Sequence, residues 1–147
     1  MKLAGMLLIF MAGILAPDQR GFCQRQGIRG QVFWLSGNQM PGPGRELAPN
    51  LGISREVHIY EVTTRAEAVS HETFFTDIKT RHVATVVSGH DGRFKVKLPP
   101  GRYSVFIKES SGLFANLFNT SGEINPVTVE PKKFTWMSIT VDYEAVF

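Results

Sequence analysis

The chain has 147 residues, of which 43% are hydrophobic and 20% charged, with a formal net charge of +3. That length accommodates one domain, and the balance of apolar to charged residues excludes a chain disordered throughout. The basic residues stand singly, as at Arg55, Arg65, Lys79, Arg93 and Lys108, and only Lys132-Lys133 are adjacent, so a nucleic-acid partner is not expected.

The first segment reads as an export signal. Met1-Lys2 gives a short positive start, and Leu3 to Ala16 is almost entirely apolar. A membrane span takes about 20 apolar residues; this shorter run suits a signal-peptide core. Cleavage after Ala16 would place Pro17 at the first mature position, which is unfavourable. Cleavage between Cys23 and Gln24 leaves Gly21 and Cys23 at the small-residue positions. The expectation is therefore a signal peptide over 1–23 and a mature domain over 24–147, secreted or periplasmic, without a transmembrane segment. Lipid attachment at Cys23 is disfavoured, because Arg20 and Phe22 stand where a lipidation motif takes a Leu-like and a small residue. With one cysteine in the chain no internal disulfide can form, so the fold must rest on its core.

Beyond the signal, apolar residues alternate at period two, and no window offers a long amphipathic helix. The first strand is predicted over Ile28 to Leu35, with Ile28, Val32 and Trp34 inward. Ser36 to Ser54 is rich in Gly, Pro and Asn and reads as a long loop. Arg55 to Val62 restores alternation, with Val57 and Ile59 on one face and His58 and Tyr60 on the other. Ala66 to Thr80 is ambiguous and has room for one short helical turn. Val83 to Ser88 and Arg93 to Leu98 flank Gly89-His-Asp-Gly92, a hairpin signal because glycine accepts a positive φ. Pro99-Pro100-Gly101 makes the next turn, and Tyr103, Val105 and Ile107 continue a strand to Lys108. Pro126 to Glu130 and Phe134 to Tyr143 are predicted to form a final pair, with Trp136 out of step with Met137, Ile139 and Val141. The pattern predicts an all-β, antiparallel, seven-stranded β-sandwich with hairpin connections.

The stretch Gly89 to Phe106, GHDGRFKVKLPPGRYSVF, carries a D-x-G-like turn, F-x-V-x-L, P-P-G and Y-S-V in succession. It resembles carboxypeptidase regulatory-like domains, which belong with prealbumin-like and carbohydrate-binding-like (starch-binding-like) sandwiches. The G-x-V of that family's opening strand is matched by Gly30-Gln31-Val32. The resemblance implies a sandwich and no peptidase chemistry. The apolar segment Gly112 to Asn119, with Ile124 to Val127, resembles a subgroup of short exported forms in Gram-negative bacteria.

No residue set points to catalysis. His58, His71, His82 and His90 fall into no metal-peptidase spacing, and Ser70-His71 and Ser88-Gly-His90 lack a nucleophile elbow. No catalytic, cofactor or metal site is therefore expected, and the chain is not read as an enzyme. What remains is recognition. Phe74, Phe75, Phe114 and Phe118 lie in the long loops and are the candidate ligand-binding residues, since exposed rings can stack on sugars; the alternative is that these loops fold back and bury them. Trp34 and Trp136 are expected to pack in the core or at an edge. The functional expectation is an exported, non-catalytic module acting in protein interaction or as an accessory domain at the cell envelope. The alternative is a carbohydrate-binding module using the loop aromatics, the partner being an envelope protein or a glycan.

Overall fold

The computed structural model describes residues 25–46 and 50–147. The expected signal peptide over 1–23, the fate of Cys23 and the domain start at 24 lie outside the described residues. Apart from one short 3-10 turn at Arg65–Glu67, the regular elements there are strands. They are β1 (Gly27–Asn38), β2 (Leu51–Gly52), β3 (Glu56–Glu61), β4 (Val69–His71), β5 (Phe74–Thr76) and β6 (His82–Val87). The second half supplies β7 (Arg93–Lys97), β8 (Gly101–Glu109), β9 (Gly112–Phe114), β10 (Pro126–Val129) and β11 (Phe134–Val146).

These strands form two sheets. In the four-stranded sheet β1 lies between β11 on one side and β7 and β2 on the other. The seven-stranded sheet runs β4-β5-β9-β8-β3-β6, with β10 added along Gly101 to Ser104 of β8, and all its pairs are antiparallel. Period-two alternation explains the inner faces. Ile28 and Val32 of β1, Phe94 of β7, and Ile139 and Val141 of β11 point into one buried cluster. The larger sheet sends Val57, Ile59, Tyr103, Val105, Ile107, Phe114, Val127 and Val129 into the same cluster. Burying such a set is the main favourable term in a fold without disulfides.

Strand β8 departs from simple alternation, because Tyr103 through Ile107 are all buried. Its second face is covered as well. Phe106 joins Phe75, Ala115 and Ile124 in a separate cluster, flanked by Tyr60, Ala68, Ile78, Leu113 and Phe118. Ala68 and Ile78, on either side of the β4–β5 hairpin, and the segment 115–125 thus pack on the outer face of the seven-stranded sheet at β8. Around β8 the larger sheet is apolar on both sides, while the outer side of β3 and β6 carries His58, His82 and Thr85.

Several pairings differ from the sequence expectation. The sheets are not antiparallel throughout: β1 and β11 run parallel, in register from Gly27–Phe134 to Asn38–Val146 with one irregularity after Trp34. A carbonyl of Met137 lies 2.0 Å from where a Cβ on Gly30 would stand, so glycine lets β11 approach this closely. The expected hairpin at Gly89–Gly92 is a crossing between sheets, since β6 pairs with β3 whereas β7 pairs with β1. Gly92 does take a positive φ of 84°, and its carbonyl accepts the Val32 amide at 2.9 Å, which seats the turn on β1. Pro99-Pro100-Gly101 likewise carries the chain from one sheet to the other, as does the step from β10 to β11. Turn chemistry sets a local reversal; the sheet that receives the next strand is decided by packing. The strand count exceeds the expected seven because the long loops contribute the short strands β2, β4, β5 and β9.

Candidate functional site

The four loop phenylalanines do not form one platform. Phe114 is 0% exposed and Phe75 1% exposed; Phe74 and Phe118 are half-buried. Phe74 and Phe114 pack edge-on to each other and around Tyr143, at ring separations of 5.0 to 6.0 Å. Phe75 packs against Phe106 and Phe118 on the other side of the sheet, and the Arg65 guanidinium sits 3.7 Å from the Phe118 ring. The reason is the β4–β5 hairpin, which pairs through β5 with β9 and delivers Phe74 to the main cluster and Phe75 to the outer one. The loops fold back, and the rings serve packing.

The tryptophans divide the other way. Trp34 packs against the core with its ring edge-on to Tyr143 at 5.3 Å. Trp136, expected to be packed, is 54% exposed. Its position on β11 is even-numbered, whereas Met137, Ile139 and Val141 face inward.

The open side of the four-stranded sheet therefore supplies the candidate site. Alternation puts Arg93, Lys95 and Lys97 of β7 outward, because Phe94 and Val96 turn to the core. Register then sets Arg29 between Lys95 and Trp136, and Gln31 between Arg93 and Ser138. Gly27 lies between Lys97 and Phe134. Arg29, Arg93, Lys95, Lys97, Trp136 and Ser138 are exposed. The Lys95 ammonium stands 4.3 Å from the Phe134 ring, a cation–π contact. Among the described residues the carboxylate that pairs with this row is Asp91, 3.7 Å from Arg93. Trp136 also forms part of the wall of a groove of about 530 Å³ between β10 and β11, together with Val127, Phe134 and Met137. Thr135 Oγ1 bridges that seam by donating to the Thr128 carbonyl at 2.6 Å.

Three further polar clusters serve other ends. Glu109, whose side chain is 6% exposed, accepts from Arg55 Nε at 2.8 Å and from the Tyr143 hydroxyl at 2.9 Å. Burial, and then the bond to Glu109, push the Tyr143 hydroxyl above its ordinary pKa. Arg102 grips Glu123 with two nitrogens; that hydrogen bond holds the Glu123 carboxyl below the usual carboxylate range. On the outer side of β3 and β6, His58 and His82 approach to 5.6 Å between ring centroids. Burial lowers the His58 pKa, partly opposed by Glu56 and reinforced by His82 and Lys108. Ser88, one of the serines near a histidine in sequence, has its hydroxyl engaged by the backbone: it donates to the Ile53 carbonyl and accepts from the Arg55 amide, both at 2.8 Å. Among the described residues, no group of three His, Cys, Asp or Glu is placed to hold a metal ion, and no helix is long and apolar enough to cross a membrane.

No family model, curated protein or solved structure matches this chain.

Two of these arrangements were out of reach of the sequence reading. The basic row looks scattered along the chain, and only the β7–β1–β11 register collects it. The local alternation in Arg93-Phe-Lys-Val-Lys97 was the available signal. His58 and His82 are brought together by the β3–β6 pairing, which no spacing between them announces.

Proposed function

We propose that the chain is an exported, non-catalytic β-sandwich module that binds a partner at the cell envelope through the open face of its smaller sheet. The resemblance to carboxypeptidase regulatory-like domains and the shared core between the two sheets support the sandwich reading, and the apolar run at Leu3 to Ala16 supports export. One observation carries the choice of face: four cations and an exposed tryptophan stand in register on a sheet surface that no described segment of the chain covers. The larger sheet covers its outer face around β8, which leaves less of it to offer a partner.

Carbohydrate binding is the second reading, and Trp136 favours it. A flat exposed ring beside hydrogen-bonding side chains suits a sugar, and on this reading Trp136 replaces the four phenylalanines as the stacking residue. Hydrogen exchange of the purified chain with and without a cell-envelope fraction tests the choice of face. Protection should fall on β7, β1 and β11. Protection confined to β3 and β6 would refute it, and turnover of ester or peptide substrates by the pure protein would overturn the non-catalytic reading.

A further inference from the structure

The charge on the open face is the feature that asks for a ligand. At the β7 end of this face Arg29, Arg93, Lys95 and Lys97 are offset by Asp91, while Asp142 and Glu144 stand on the same face toward the far end of β11. The cations are gathered at one end of one side of the sheet, where they raise the local concentration of anions.

Spacing gives the ligand its outline. Residues two apart on a strand stand about 6.8 Å apart on one face, and neighbouring strands about 4.8 Å apart. Arg93, Lys95 and Lys97 therefore line up over about 14 Å, with Arg29 one strand in from the middle of the row and Trp136 one strand further. A ligand lying across this grid meets a line of cations along one flank and an aromatic face along the other, with the Ser138 hydroxyl beside it. Gln31 is less free, since its side-chain amide donates to the Asp91 carbonyl at 2.7 Å.

We propose that the face binds an acidic polysaccharide, with sugar carboxylates or sulfates on the Arg29–Lys95 row and a pyranose ring stacked on Trp136. This specifies the ligand of the face assigned above and rests on that assignment. The chemistry fits this class better than its competitors. Single-stranded nucleic acid is held by successive aromatic platforms along a groove; here one ring is exposed, and Phe134 is half-buried against Lys95. A lipid surface would call for several apolar side chains beside the cations; Trp136 stands next to them, whereas the other large exposed apolar residues of this sheet, Leu51 and Val146, lie toward its far end.

Calorimetric titration of the purified chain with polygalacturonate, heparin, neutral amylose and a single-stranded oligothymidine tests the assignment. Binding is expected to polygalacturonate, to heparin or to both, the two arms separating carboxylate from sulfate recognition. It should weaken as salt rises and be absent with amylose. Trp136→Ala should weaken binding about tenfold, the equivalent of about 1.4 kcal/mol. Arg29→Glu combined with Lys95→Glu should abolish it, whereas Lys79→Glu, an equal charge change per site away from this face, should leave it intact. These side chains point to solvent, so thermal midpoints should match wild type and separate lost binding from lost folding. The proposal falls if neither acidic polysaccharide binds, if oligothymidine binds in their place, or if binding survives both Trp136→Ala and the double reversal. Should it fall while hydrogen exchange still shows envelope material protecting β7, β1 and β11, the ligand is wrong and the face is right; protection elsewhere removes both.

Discussion

The two sheets dispose of their second faces in opposite ways. The seven-stranded sheet is covered outside as well as inside around β8, so that strand carries Phe106 outward into Phe75, Ala115 and Ile124 while Val105 and Ile107 point to the main core. The four-stranded sheet keeps one apolar side, and its other side bears Arg29, Lys95, Lys97 and Trp136. Aromatic residues on the larger sheet are therefore structural even when they lie in stretches that read as loops. An aromatic residue on the smaller sheet can be left free. Ring content alone does not tell which rings are exposed; the side of the sheet on which the ring falls does.

The comparison can be broken by substitution. Phe106→Ala should cost about 4 kcal/mol in denaturant unfolding, the loss typical of a fully enclosed aromatic ring. A loss below about 1 kcal/mol would mean that the segments over the larger sheet are not packed onto it. Glu109→Ala should cost about 2 kcal/mol, because it leaves Arg55 and the Tyr143 hydroxyl without their shared acceptor; Arg55 is partly exposed, which holds the figure below that of a fully buried pair. Glu109→Gln should recover part of the loss in the same unfolding assay.

A smaller effect is expected from pH. The His58 pKa lies below the ordinary 6.5, so the folded state resists a proton that the unfolded chain accepts. The stability this represents is present above about pH 6.5 and is lost as pH falls through the lower folded value. Unfolding free energy should therefore drop as pH falls through 6.5 toward the lower folded value, and His58→Gln should flatten part of that slope. An unchanged slope in the variant would show that His58 is not the group responsible. Smallest of all, Trp136→Ala should change stability by no more than about 0.5 kcal/mol; a loss near that of Phe106→Ala would place Trp136 among the packed rings and end the contrast between the sheets.

The strands themselves were legible because each of β1, β3 and β7 buries one face, and burial of one face imposes period two. Pairing was less legible. Gly89–Gly92 and Pro99–Gly101 have turn chemistry that is the same whether the chain doubles back in one sheet or steps to the next. The parallel β1–β11 pair joins segments about a hundred residues apart, and its register is fixed by side-chain packing and by the lack of a Cβ at Gly30. Phe74 and Phe75 misled for a related reason: adjacent rings in a short hairpin look like an exposed patch until both faces of the sheet are known to be covered. The cationic face failed to show itself in the same way, since three of its cations are contiguous alternates on β7 but Arg29 and Trp136 arrive from strands remote in the chain.

The parallel arrangement of β1 and β11 has a mechanical consequence. Because Gly27 lies beside Phe134 and Asn38 beside Val146, tension applied between Arg25 and Phe147 pulls the two strands lengthwise past each other. Their hydrogen bonds then share the load and must yield together, whereas a pair peeled from one end surrenders its bonds singly. A tethered module of this build would resist extension along its own axis and hold its cationic face flat under strain.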